Sequence, residues 1–406
     1  MHVQPIACFR PAPERAGRFS APPYDVFDDE QARAYVRENP DSFMAIDRPE
    51  TAFDAGQDPM APEVFEHAVK LLTDRLRDGT ILKEERPCLF AYRMTQGDHS
   101  QMGIIASVAV DDYLDGTVRR HERVREEKVL DRMAHMSAIT AQVGPSIVIY
   151  PDSHVIDVLV GLACTAEPLY DFTDEDGVRH TVWRIAREMA VGSICETFKQ
   201  IPHGYIADGH HRAEASARLC LEARERGEAG PREEFLAVLY PASSMRVLAY
   251  NRAVVDTNGL SEQELCAELS QAGIEVSQPV ESPVVPKERH AVGMFAFGSW
   301  RELRFADAQP SDDPTADLDV SLLQERVLAP ILGVKDPTAD PRISFVSGAE
   351  GPEALERLAG KDGVAFFMYP TSMDELMRVS DAGMLMPPKS TWFAPKPRSG
   401  LFLRRI

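Results

Sequence analysis

The apolar and polar positions of this chain alternate between two periods. Short runs read as buried strands: Leu89-Phe90-Ala91-Tyr92, Ile104 to Val110, Ser146 to Tyr150 and Phe235 to Tyr240. Between them the period lengthens. From Glu63 to Arg77, apolar residues at Val64, Phe65, Ala68, Leu71, Leu72 and Leu76 predict one buried helical face, which Gly79 stops. Asp28 caps a predicted helix that ends near Pro40. Glu122 to Val143 is strongly charged and predicts another. Leu169–Phe172 and Val178–Ile185 predict a hairpin around Asp176-Gly177, followed by a helix through Met189, Ile194 and Phe198. Arg246 to Val255 predicts one more strand. After Asn258 the composition changes. Helices are predicted at Leu260–Ala272, Leu322–Ala329, Ala354–Leu358 and Met373–Val379, a hairpin at Met294–Phe297 and Arg301–Phe305, and strands at Ile343–Val346 and Val364–Tyr369. This pattern predicts a mixed α/β (α+β) fold with a core over residues 1–258 and a C-terminal lobe over residues 259–406.

One stretch organises the rest: Ile206-Ala207-Asp208-Gly209-His210-His211-Arg212-Ala213-Glu214-Ala215. It reads as strand, tight turn and first helical turn, with Asp208 placed as N-cap and Gly209 as the sharp turn. His210, His211 and Arg212 then stand where free backbone N–H groups and the helix dipole favour an anion. Arg212 adds a planar fork suited to phosphate oxygens. Asp208 can hold a divalent metal or accept a proton. The plainer alternative is an Asp-Gly turn carrying solvated histidines.

Charge and cysteines narrow the function class. A net charge of -20 opposes nucleic-acid binding but not a small phosphorylated ligand in a local basic pocket. Six cysteines without CxxC spacing suggest reduced thiols and a cytoplasmic location rather than a disulfide frame or zinc site. No signal peptide or membrane-length apolar run is visible, so no membrane partner is expected. The sequence leaves the oligomeric state open.

Three further stretches carry candidate chemistry. His121-Glu122, followed by Lys128, Asp131 and Arg132, offers a general base among arginines; the alternative is a solvated helix laced with ion pairs. The segment from Met386 to Leu401 is basic in an acidic chain. Its Lys389, Lys396 and Arg398 can bring positive charge to a phosphate, with Ser390, Thr391 and Ser399 as donors. The alternative is a proline-stiffened tail docked on the core. Asp25, in Pro22-Pro23-Tyr24-Asp25-Val26, is a weaker candidate for catalysis or ligand binding. The chain lacks a Walker A loop, a Rossmann fingerprint, a kinase Gly-rich loop and a G-x-S-x-G elbow.

Taken in order, Pro22–Val26, His121-Glu122 with Lys128 and Asp131-Arg132, Asp208–Arg212, and Pro387–Thr391 through Ser399–Leu401 resemble the motifs of the DUF-1015 family, a bacterial domain of unknown function. The Asp-Gly-His-His-Arg turn with its upstream His-Glu is also similar to the free L-serine kinases of the ParB/sulfiredoxin-like fold. That resemblance implies a ParB/sulfiredoxin-like core with large insertions and a C-terminal lobe whose basic tail returns to the site. It implies a small-molecule phosphotransferase acting on free L-serine or a similar hydroxyl acceptor. Mg²⁺ and a donor (ATP, ADP or pyrophosphate) are implied with it. Position by position, it implies Glu122 as the base, beside His121, with Asp208 as metal ligand and Gly209, His210, His211 and Arg212 around the phosphate. Here the His-Glu element runs on into Arg123-Val124, and extra elements separate it from Asp208. Two other readings remain open: a ParB-like nucleotide- or nucleic-acid-binding module, and a metal-dependent phosphohydrolase using Asp208, His210 and His211 with His203.

Overall fold

The structure, a computed structural model, describes residues 1–308 and 311–406. The fold is mixed α/β, and it divides into two compact units: Met1–Met245 with Pro395–Ile406, and Arg246–Ala394. The compositional change after Asn258 lies inside the second.

The first unit is built on a nine-stranded sheet. Its main path runs Val118–Arg119, Gly204–Asp208, Ser146–Tyr150, Glu234–Pro241, His99–Ala109, Leu89–Gln96, Arg179–Ile185 and Tyr170–Thr173, with Val3–Gln4 added to His99–Ala109. Most neighbours are antiparallel, but Glu234–Pro241 runs parallel to Ser146–Tyr150, and Gly204–Asp208 parallel to Val118–Arg119. Alternate residues Leu89, Ala91, Ile104, Ala106 and Val108 face one core, as a period of two requires. The helix His210–Glu225 lies on that core through Ala213 and Ala217. Its other side meets the helix Glu126–Ile139, where Ala215 and Leu219 pack on Val129 and Met136. Small side chains on both sides let this helix be buried between sheet and helix.

A smaller four-stranded sheet joins distant parts of the same unit, in the order Ile81–Lys83, Cys8–Pro11, Leu403–Arg405, Ala141–Gln142. The second unit has a six-stranded sheet in the order Glu275–Val276, Ser299–Arg304, Ala291–Ala296, Val364–Phe367, Tyr250–Val254, Ile343–Ser347. Val247–Leu248 pairs separately with Trp392–Phe393.

Three expectations need correction. The charged helix spans Glu126–Ile139 and does not begin at Glu122. Glu126 and Glu127 suit the positive end of a helix, whereas His121 is drawn out of solvent into the core and holds the chain in a bend before it. The run Arg246–Val255 is two strands in two sheets, broken at Ala249. The helix predicted at Leu322–Ala329 begins at Asp319 and passes at Gln324–Leu328 into a π-helical turn. No helix of the described residues is long and apolar enough to cross a membrane.

Candidate functional site

The strand Gly204–Asp208 ends in a register irregularity against Ser146–Tyr150 between Ile206 and Asp208. A bulge of this kind re-aims the next side chain. Gly209 follows with φ 85°, the left-handed region, and the helix starts at His210. The N-cap is therefore Gly209, with no side-chain cap, and the expectation that Asp208 caps the helix is wrong. Asp208 is pulled away by stronger partners. Its Oδ1 accepts from Lys396 Nζ at 2.7 Å and its Oδ2 from Arg212 Nη2 at 2.9 Å. Burial alone would push the Asp208 carboxyl up; the Lys396 ammonium and the Arg212 guanidinium outweigh it and hold the carboxyl down at about 2. Burial would lower the Lys396 ammonium, and Asp208 raises it instead.

Two glycines make room for the Arg212 fork. A Cβ on Gly144 would stand 2.6 Å from Nη1, and one on Gly209 2.8 Å from Nη2. Ser399 Oγ would lie 3.3 Å from that same Gly144 Cβ. Arg212 Nε and Ser399 Oγ are buried and have no hydrogen-bond partner among the described residues. An orphaned N–H of a buried guanidinium and an orphaned hydroxyl near it are what an oxyanion would satisfy. Gly144→Ala should therefore displace the fork at a modest cost in stability, about 1–3 kcal/mol. We expect a loss of oxyanion-induced thermal stabilisation in this variant while circular dichroism stays native; unchanged stabilisation by phosphate would contradict the placement.

His121 and His210 meet edge to face, with ring centroids 4.6 Å apart. Both are buried, and burial pushes His121 down to about 4 and His210 well below its usual range. Both rings are thus neutral at neutral pH. Glu122 Oε2 lies 3.4 Å from His210 Nδ1, an ion-pair distance without hydrogen-bond geometry, and its side chain is 52% exposed. His211 Nε2 accepts the backbone N–H of Arg125 at 3.0 Å, which fixes its ring. The unfolded chain takes up a proton at His121 near pH 6.5, but the folded chain only near pH 4. Stability is therefore full above about pH 6.5 and falls as the pH drops to about 4, by on the order of 3 kcal/mol. Urea unfolding across this range should show the slope, and His121→Gln should flatten it.

Residues 3–321 match the family described as "Protein of unknown function (DUF1015)". The chain belongs to the DUF1015 family. Among solved structures it is similar to SbnI with C-terminal truncation from Staphylococcus aureus, at 13% identity over 74% of this chain and 87% of that chain, with a TM-score of 0.38. It is similar to a free serine kinase in complex with AMP, at 13% identity over 71% of this chain and 87% of that chain, with a TM-score of 0.35. A conserved hypothetical protein from Pyrococcus furiosus is similar at 12% identity over 74% of this chain and 95% of that chain, with a TM-score of 0.34. No curated protein matches the chain.

In this DUF1015 member the motifs seen in the sequence separate into groups. Asp208, Gly209, Arg212, Lys396 and Ser399 come together. His121, Glu122 and His210 form the adjoining group. Asp25 is exposed, and its charge acts on both Lys396 and His211, which places it at the rim. Lys128 acts on His211 as well. Arg132 is a buried support: it bonds Asp47 and Asp131 and stacks on the Tyr24 ring at 4.1 Å. Arg398 does not join the Asp208 turn; its guanidinium bonds Ser20, Asp174 and Glu175. Its role is to anchor the tail, because a buried arginine goes where carboxylates already wait. Lys389, Ser390 and Thr391 belong to the second unit.

The histidine metal set of a phosphohydrolase does not assemble, and for Mg²⁺ the turn offers the single carboxylate of Asp208. Each Asp208 oxygen already accepts from one cationic partner, so a Mg²⁺ ion would share the carboxylate with Lys396 and Arg212. His203 lies on Arg119, at 2.9 Å. No three His, Cys, Asp or Glu side chains gather into a metal-binding group among the described residues. Sequence reasoning missed Gly144 and Ser146, whose Oγ bonds the Gly209 carbonyl at 3.2 Å. The Gly144-Pro145-Ser146 run before a buried strand was the available signal.

Proposed function

We propose that the first unit transfers a phosphoryl group to the hydroxyl of a small acceptor. The observation that carries this reading is the buried Arg212 fork. It is poised by Asp208 and Lys396 at a helix N-terminus, and its Nε and the nearby Ser399 Oγ lack partners. Such a site takes an oxyanion and supplies charge neutralisation, the main requirement of phosphoryl transfer. Glu122, exposed at its edge, takes the hydroxyl proton. The acceptor oxygen bonds to the terminal phosphorus, and the bond from that phosphorus to the donor breaks. The electron pair leaves with the shortened donor, a nucleotide or phosphate. Arg212 and the backbone N–H groups at His210 and His211 hold the transferred group. Neutral His210 packs behind Glu122 without competing for its charge.

The Asp-Gly-His-His-Arg resemblance names free L-serine as the first acceptor to test. Purified protein is incubated with Mg²⁺, L-serine and ATP, ADP or pyrophosphate, and phosphoserine is read by mass spectrometry. Phosphoserine made by the wild type and lost in Arg212→Met supports the reading. No phosphorylated product from any donor with serine, threonine or homoserine would overturn it.

A further inference from the structure

Among the described residues, buried arginines almost always sit on a carboxylate. Arg10 pairs with Glu84, Arg132 with Asp47, Arg212 with Asp208, Arg301 with Glu262, Arg398 with Asp174 and Arg404 with Glu234. Arg252, in the second unit, is the exception. It is 4% exposed and lies on the strand Tyr250–Val254. Its guanidinium donates to two carbonyls, of Tyr250 and, at 3.0 Å, of Lys389, and stacks at 5.4 Å from the centroid of Phe345. No carboxylate offsets its burial, which lowers the guanidinium to about 10.

A second cation stands beside it. Lys389 has its Nζ 5.3 Å from the centroid of the Tyr250 ring and no carboxylate within ion-pair distance among the described residues. Its backbone has φ 60°, the left-handed region, where a non-glycine residue stores strain. Tyr250 in turn meets Trp392 edge to face at 5.3 Å. Two cations without a counter-charge, on a common aromatic bed, are anomalous in a chain of net charge -20. Acidic partners were abundant in the sequence and were not placed here. A buried charge left uncompensated is costly, and a bound anion removes that cost.

We propose that Arg252 and Lys389, bedded on Tyr250, Phe345 and Trp392, form a binding site in the second unit for a phosphate group. Charge balance selects the class. Two unpaired cations match the charge of about -1.5 to -2 on a phosphate monoester at neutral pH better than the single charge of a carboxylate. Arg252, oriented by its two carbonyl partners, provides its charge and its remaining N–H groups, and exposed Lys389 provides the mobile point charge. The Pro387-Pro388-Lys389 run sets the lysine, and the Lys389 carbonyl, held by Arg252, ties its loop to the sheet. This site is independent of the phosphoryl transfer proposed for the first unit.

The test uses the full chain labelled with ¹⁵N-tryptophan, which has three tryptophans and so three indole signals. The Trp392 signal is assigned with Trp392→Phe and followed while inorganic phosphate, ADP and adenosine are added separately. Phosphate and ADP should each shift it, and adenosine should not. Arg252→Met should raise the Kd at least about tenfold, as loss of a charge-assisted contact requires. Lys389→Met, at an exposed side chain that leaves folding intact, should raise it severalfold, and Arg212→Met should leave it unchanged. Tighter binding of ADP than of phosphate would identify a nucleotide as the source, and equal binding the free ion. The proposal fails if the Trp392 signal stays still with phosphate and ADP. It fails equally if the Kd is unchanged in Lys389→Met, or if Arg212→Met abolishes the shift.

Discussion

Exchanging Glu122 for glutamine should lower kcat for phosphoryl transfer by about 10²–10⁴-fold, the contribution of a positioned general base. The acceptor KM should change little, because glutamine keeps the shape and polarity of the side chain. The fold should be untouched, since the Glu122 side chain is 52% exposed and lies in the bend before the helix Glu126–Ile139. The histidines beside it cannot replace it. Burial holds His121 and His210 neutral, and His210 has no carboxylate partner in hydrogen-bond geometry to relay a proton. Arg212→Lys should behave differently. It keeps one charge but loses the fork that Gly144 and Gly209 make room for, so donor KM rises as kcat falls. The two variants, assayed side by side with circular dichroism as control, separate proton removal from phosphate holding. Wild-type turnover in Glu122→Gln would remove Glu122 as base, and Asp25, on the rim, would be next to test.

The largest stability effect should come from Arg398→Met, at about 3–5 kcal/mol. Arg398 is 3% exposed and donates to Ser20 Oγ at 3.0 Å and to the Ser20 carbonyl at 2.7 Å, while it pairs with Asp174 and Glu175 at 3.1 Å each. Methionine fills similar space but leaves Asp174 buried beside His180 without its guanidinium. Burial would raise the Asp174 carboxyl; His180, the Val178 N–H and Arg398 bring it down to about 2. Its contribution is therefore present above about pH 4 and is lost as the pH falls towards about 2. In Arg398→Met that loss should begin at higher pH, read by urea unfolding at neutral and mildly acidic pH. Activity should fall too, since Lys396 is held on Asp208 by a tail that Arg398 anchors. A variant as stable as the wild type would show that Asp174 and Glu175 do not depend on it.

The strand, turn and helix around Asp208 were legible because three local signals agree there: a buried apolar run, Asp-Gly, and a row of alanines. The helices Asp29–Glu38 and Met373–Asp381 were legible through local signals of another kind, each opening on a capping box in the sequence. Illegible were the choices that tertiary partners make. Asp208 has the composition of an N-cap, but Lys396, 188 residues away, takes its Oδ1. Glu122 reads as helical, but the burial of His121 bends the chain there. Arg398 reads as one more basic residue of the tail; only the fold shows that Asp174 and Glu175 claim it. Arg252 gave no signal at all, because a missing counter-charge is visible only once every neighbour has a place.

The strand Leu403–Arg405 is inserted between Cys8–Pro11 and Ala141–Gln142, and Lys396 lies just before it. The whole second unit precedes both in the chain. During synthesis, which runs at about 5–20 residues per second, the first unit must wait for the second to leave the ribosome before its small sheet can close. Until then Asp208 and Arg212 form a pair without Lys396. The nascent protein thus carries the Asp208 turn without its second cation, and the order of translation acts as a timer on when the Asp208, Arg212 and Lys396 group is complete.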